Sequence, residues 1–391
     1  MRVVIAPDSF KESLSAADVA KAIAEGVRDA MPDAVTVCVP MADGGEGSLD
    51  AVLAASGGER RKAQVLDANG QPCEASWGWL GEGRAFIEMA AAAGLEQIPP
   101  AERKPLQASS YGVGQLIKAA LDAGAVHIVL GLGGSATNDA GAGLLQALGV
   151  RLLDGGGHEL PAGGAALKML DRISMEGVDP RLQRVEFEIA VDVDNPLCGT
   201  RGASVIFGPQ KGADPQQVAE LDAALAHFAD VCARHFGKDE RNIPGMGAAG
   251  GLGFAIKTCF SARFRPGVEL VAELSGLADA LQGADLAFTG EGRMDAQTLL
   301  GKTPAGVARY AGRQGIPVLA IVGSLGEGYE ALYQAGITAA FSLAPGPISL
   351  EQACRQAPAY LRQRAGDCMR TWLSGWQAAR ASAAAGEGGR P

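Results

Sequence analysis

The residues best suited by type to do chemistry fall in short segments where acidic side chains sit among glycines. Asp8, Ser9 and Lys11 stand in APDSFKESLSA (6–16), Asp43 in ADGGEG (42–47), and Glu291, Arg293 and Asp295 in TGEGRMDAQTLLGK (289–302). Several carboxylates, a few cations and exposed backbone N–H groups suit phosphoryl transfer. That reaction wants a divalent cation held by carboxylates, positive charge on the phosphates, and a carboxylate beside the attacking hydroxyl. It has no need of histidine, of which the chain has only four. Asp, Gly and Ser are also ordinary residues of turns and helix caps, so the weight rests on the segments together.

A second focus is GLGGSATNDAGAG (131–143). It follows an apolar strand and is expected to open a helix at about Asp139. Backbone N–H groups and a helix dipole would then form an anion site. Gly133, Gly134, Ser135, Thr137 and Asn138 are the expected contacts to nucleotide phosphates. The same run fits G-x-G-x-x-A at Gly131, Gly133 and Ala136, with Asp154 a little over 20 residues on. That supports a rival reading, an NAD-dependent dehydrogenase of a small hydroxy acid. GMGAAG (245–250) fits a similar pattern but follows Ile243-Pro244 instead of a strand. Gly301-Lys302-Thr303 is not a P-loop, because Ala296 stands where the leading glycine belongs. With Pro304 next, Thr303 reads as a helix N-cap.

A third group is Asp192 and Asp194, two apart at a strand end and so on one side of extended backbone. Lys211 follows in FGPQKGA (207–213). Paired carboxylates suit Mg²⁺, and a lysine suits phosphate.

The elements that must position these residues alternate between strand and helix. RVVIA (2–6) reads as a buried strand. Ser15 opens a helix with Val19, Ile23 and Val27 on one face. VTVCVP (35–40) is a second strand. DLAFT (285–289), VLAIV (318–322) and TAAFSL (338–343) resume the rhythm near the end of the chain. This predicts an α/β protein. Its doubly wound, flavodoxin-like parallel sheet is formed by both chain ends, as residues 1–60 plus 266–380. A second α/β domain interrupts it over 61–265, with antiparallel strands signalled by Asn69-Gly70. Residues 381–391 read as a disordered tail. In such a sheet ligands bind beyond the carboxyl ends of the strands, where Asp8, Asp43, Glu291 and Asp295 would gather.

Composition excludes other classes. The net charge of −10 and 5% aromatics argue against nucleic acid. No apolar run is long enough for a membrane helix. The opening MRVVIAPDSF reads as a strand and not as a signal or transit peptide. Seven scattered cysteines without a CxxC pair read as reduced thiols of a cytoplasmic protein. Glycine, at 55 of 391 residues, is about twice its usual share and clusters in the polar segments above. Such clusters suggest loops that hug a small charged ligand.

The segments already quoted, together with DNPLCG (194–199), FGPQKGA (207–213) and GAAGGLG (247–253), resemble the bacterial glycerate kinases of the first type. The likeness runs through nearly the whole chain in the family's order. It implies an ATP- and Mg²⁺-dependent kinase of D-glycerate that forms 2-phosphoglycerate, or 3-phosphoglycerate in some members. It also implies two α/β domains with a cleft between them. Glu12 and Ala140 depart from the family by standing where many relatives have glycine.

On chemical grounds Asp295, ahead of Asp192, is the expected base for the glycerate hydroxyl. Lys11 and Lys211 would stabilise the transferred phosphoryl group. Asp8 and Asp43 are the expected Mg²⁺ ligands, with Asp194 a further candidate. Asp8, Ser9, Glu291 and Arg293 would bind substrate, Arg293 through the glycerate carboxylate. Besides the dehydrogenase, a non-catalytic sugar-acid or nucleotide-binding protein is the other alternative. Oligomeric state is not legible.

Overall fold

The computed structural model describes residues 1–387. The chain divides into two compact units. The first comprises Met1–Asp43, Asp50–Ser56 and the chain from Val271 onward. The second comprises Gly44–Leu49 and Gly57–Leu270. Gly44–Leu49, expected with the first, thus goes with the second.

The first unit is built on a five-stranded sheet in the order Ile337–Ser342, Val318–Val322, Leu286–Thr289, Arg2–Ile5, Val35–Cys38, with every pair parallel. Counted along the chain this is 2-1-3-4-5, the flavodoxin-like winding. The central strands are largely apolar, as strands covered by helices on both faces are. Val3, Val4, Ile5, Leu286 and Phe288 are fully buried. The helix Ala16–Ala30 is capped by Ser15, whose Oγ accepts from the N–H of Asp18 at 3.1 Å. It buries Val19, Ile23 and Val27. Against it packs the long helix Leu350–Glu387. Residues 381–387, expected as part of a disordered tail, continue that helix. Residues 388–391 lie outside the described residues.

The second unit holds a six-stranded mixed sheet ordered Ala262–Arg265, Glu186–Ala190, His127–Gly131, Arg84–Glu88, Pro72–Gly81, Glu59–Leu66. The last three strands form an antiparallel meander and the first four run parallel. The hairpin expected at Asn69-Gly70 is present. Gly70 has φ +79°, and the Asp67 carboxylate accepts from the N–H groups of Asn69 and Gln71 at 2.8 Å each. The helix Pro215–Phe236 opens on a capping box of Asp214 and Gln217. Among the described residues no helix is long and apolar enough to cross a membrane.

Candidate active site

Three neighbouring strands of the first unit's sheet, Leu286–Thr289, Arg2–Ile5 and Val35–Cys38, run directly into Glu291, Asp8 and Asp43. Backbone hydrogen bonds continue past the strand ends and fix the spacing. The N–H of Asp8 donates to Gly290 O at 2.8 Å, and that of Met41 to Pro7 O at 2.9 Å. The first-to-third strand boundary is the switch point where such sheets bind ligands. Asp8 and Glu291 stand on either side of it.

The three acids repel one another. Withdrawal from solvent, then the Asp43 charge, push Asp8 up to about 7, although Thr303 Oγ1 donates to its Oδ2 at 2.6 Å and the Ser9 N–H to its Oδ1 at 2.6 Å. Glu291 is 7% exposed. Burial, with repulsion from Asp43 and Asp295, raises it to about 7 against the hydrogen bond from Thr298 Oγ1 at 2.6 Å and the charge of Lys302. Lys302 Nζ lies 3.7 Å from Glu291 Oε2. Thr298, Lys302 and Thr303 therefore belong to this site, a result the sequence reading missed. Thr303 is not the helix cap expected of it. The helix Thr303–Gly312 takes Lys302 as its N-cap, and the Thr303 hydroxyl is turned to Asp8. The signal that could have found it was the conjunction of Gly301-Lys302-Thr303 with the acidic run before it.

The other expected residues of this unit lie on the same edge with different surroundings. Asp295 caps the turn Ala296–Leu300: its Oδ1 accepts from the Gln297 N–H at 3.0 Å and its Oδ2 from Arg293 Nε at 3.1 Å. These donors hold its carboxyl below the ordinary value although partial burial, the largest influence, pulls the other way. Arg293 keeps 67% of its side chain exposed. Lys11 is exposed, and its backbone runs beside Gly292.

In the second unit the 131–143 segment departs from the expected strand-to-helix turn. The strand ends at Gly131 and the helix, Ala142–Ala147, starts only at Ala142. Asp139, which the sequence reading passed over, explains the delay. Its buried carboxylate accepts from Ser110 N–H and Ser110 Oγ at 2.8 Å each, and from the N–H groups of Gly141 and Gly143 at 3.1 Å each. The helix start is thus filled by the protein's own anion, and the dinucleotide turn is absent. Asp154 shapes an exposed turn instead, accepting from the N–H groups of Gly156 and His158.

The glycines of this loop answer first to backbone packing. A Cβ on Gly133 would lie 2.6 Å from Gly45 Cα. Ala140 adopts φ +52°, a backbone shape that glycine takes without strain. Glu12, the other departure, has φ +62°.

Lys211 does not project from a loop. It ends the turn Pro209–Lys211, is 2% exposed, and donates through Nζ to Ser135 Oγ at 2.8 Å and Thr137 O at 2.6 Å. Burial lowers it to about 7 against the pull of Asp139. Asn138 Nδ2 donates to Ser204 Oγ at 2.7 Å. Asp192 and Asp194 are both exposed. Asp192 Oδ1 accepts from the Gly267 N–H at 3.0 Å. Asp194 is paired with Arg201 at 2.8 Å.

Carboxylates held near neutrality at the switch point of a flavodoxin-like sheet suit proton and phosphoryl transfer, which points to the small-molecule kinases. Comparison with known proteins makes the class specific. The model of the glycerate kinase family matches residues 3–373. A glycerate kinase of Halalkalibacterium halodurans is 50% identical over 364 residues, 93% of this chain and 96% of that protein. Glycerate 2-kinase of Escherichia coli is 48% identical over 358 residues, 91% of this chain and 94% of that protein. The crystal structure of a Salmonella typhimurium LT2 protein assigned as glycerate kinase 2 superposes with a TM-score of 0.86 at 45% identity, covering 96% of this chain and 99% of that one. The chain belongs to the glycerate kinase family. It is an enzyme that phosphorylates glycerate with a nucleotide as co-substrate.

Proposed function

We propose that the protein moves the γ-phosphoryl group of ATP to the 2-hydroxyl of D-glycerate, giving 2-phosphoglycerate, with Mg²⁺ required. The name of the Escherichia coli relative supports the 2-position over the 3-position. Seven free cysteines support a cytoplasmic setting. The observation that carries the chemistry is the set of mutually repelling acids after three adjacent strands.

Among the described residues no three His, Cys, Asp or Glu side chains converge as a metal cage. Mg²⁺ does not need one, since it is bound by one or two carboxylates with water and phosphate. Burial and, after it, repulsion from Asp43 hold Asp8 up at about 7, and a cation beside the two carboxylates would relieve the repulsion. Asp8 and Asp43 are therefore the proposed ligands. The ion would supply charge neutralisation on the phosphates.

The base is assigned to Glu291 in place of Asp295 or Asp192. A base works best with a pKa near the working pH. Glu291 stands at about 7, whereas the hydrogen bonds on Asp295 keep it below the ordinary carboxylate range. The glycerate hydroxyl gives its proton to the Glu291 carboxylate as its oxygen attacks the γ-phosphorus, while the bond from that phosphorus to the β–γ bridging oxygen breaks and ADP leaves with the electron pair. Thr298 orients that carboxylate, and Lys302 with Lys11 offsets the charge of the phosphates. Ser9 and Arg293 bind the acid substrate, Arg293 at its carboxylate. Gly133, Gly134, Ser135, Thr137 and Asn138 are proposed to receive the nucleotide phosphates.

The test is turnover of D-glycerate with ATP, with and without Mg²⁺, in wild type and Glu291→Gln. Wild type should depend on Mg²⁺ and show an acid limb in kcat/KM near pH 7, where Glu291 becomes protonated and can no longer accept. Glu291→Gln should lose that limb and about 10²-fold or more in kcat. A variant with near-normal kcat and an unchanged limb would remove Glu291 from this role.

A further inference from the structure

We propose that Asp139 and Lys211 are positioning residues that lock the 132–141 loop into the shape that receives a nucleotide's phosphates, without themselves touching the reacting atoms. The proposal rests on reading that loop as the nucleotide site.

The loop is held from two sides by buried charges of opposite sign. Asp139, 0% exposed, ties its far end to Ser110 and to the helix start through four donors. Ser110 Oγ passes the tie on by accepting from the Leu144 N–H at 3.0 Å. Lys211 takes hold of the middle, at Ser135 Oγ and Thr137 O. A third support is backbone. The Ala140 N–H donates to Gly250 O at 2.9 Å, and a Cβ on Gly250 would lie 2.1 Å from Thr137 O.

This scaffolding leaves particular atoms over. Thr137 Oγ1 and Asn138 Oδ1 are buried with no hydrogen-bond partner in the protein. Buried polar atoms are nearly always satisfied. Two orphans on consecutive residues, in a loop pinned by an ammonium and a carboxylate, mark a place where a polar ligand or its bound water completes the set. An isolated buried charge is costly. Hydrogen bonds from within the protein serve both side chains, and Asp139 draws Lys211 part of the way back against burial, so neither needs the ligand for its own stability. The loop can therefore be rigid before the nucleotide arrives.

The experiment compares wild type, Lys211→Met, and the neutral double variant Lys211→Met/Asp139→Asn, which leaves no unbalanced charge behind. Three quantities are read: melting temperature, calorimetric affinity for a non-hydrolysable ATP analogue and for D-glycerate, and kcat. The double variant should melt within a few degrees of wild type and hold D-glycerate normally. It should bind the analogue about tenfold or more weakly and lose on the order of 10²-fold in kcat, as a displaced positioning group does. Analogue affinity and kcat both within about twofold of wild type, on the same scale of effects, would overturn the proposal.

If D-glycerate affinity falls while the analogue binds normally, the locking role stands and the assignment of the loop to nucleotide fails. Should the charge variants not fold, Ser110→Ala decides the matter, since it trims one of the four donors to Asp139. Weaker analogue binding at an unchanged melting temperature supports the lock. Unchanged binding contradicts it.

Discussion

Asp8 shows at the scale of one residue how function opposes stability. Its carboxyl is raised from 3.8 to about 7 in the fold. A raised acid stabilises the fold while it stays protonated. That contribution is complete below about pH 4 and is lost as the pH climbs to about 7. Without Mg²⁺, Asp8→Asn should therefore gain on wild type by about 1–3 kcal/mol between pH 5 and pH 8, seen as a melting temperature that falls less with pH. The amide can still accept from the Ser9 N–H and donate to Thr303 Oγ1. A stability difference that does not change with pH would show that the fold does not raise the Asp8 carboxyl. The types and places of Asp8, Asp43 and Glu291 were legible in the sequence because each follows an apolar strand. Which acid is buried was not. Asp295 and Glu291 look alike in TGEGRMDAQ, and only the turn Ala296–Leu300, capped by one of them, separates their environments. Lys302 and Thr303 were set aside for failing a P-loop pattern, although the fold brings them to Glu291 and Asp8 by another route.

At the scale of elements, the strands and the long helices followed from periodicity and caps. The helix Pro215–Phe236 and the hairpin at Gly70 lie where their caps and turn residues place them. The loops were less legible. The glycines of 131–134 suggested close approach to a ligand, but Gly133 closes on the backbone of Gly45, some 90 residues away in sequence. No local pattern predicts such a contact. Gly133→Ala should destabilise the protein by about 1–3 kcal/mol, as overpacking does. The measurement is denaturant unfolding, with fluorescence or circular dichroism as readout. A midpoint equal to wild type would mean that the two glycine loops are looser than described. Asp139 was invisible for a related reason. Its four donors come from Ser110 and from two glycines beyond it, and only the fold reveals that it replaces an external anion at the helix start.

At the scale of the whole molecule, an acidic chain acts on acidic substrates. Its net charge is −10, so binding must rely on local cations such as Lys11, Lys302 and Arg293 and on Mg²⁺. The flavodoxin-like winding makes this workable, because it collects the ends of adjacent strands from opposite ends of the chain. That pairing of residues 2–5 with 286–289 was legible as a rhythm of strands. The assignment of Gly44–Leu49 to the second unit was not, since it depends on packing against Gly133 and on the Leu49 N–H donating to Glu88 at 2.8 Å. The most direct measurement is phosphorus NMR of the product formed from ATP, Mg²⁺ and D-glycerate. The expected product is a single phosphomonoester on C2, formed only when Mg²⁺ is present. A phosphate on C3, or product formed equally well in excess chelator, would contradict it.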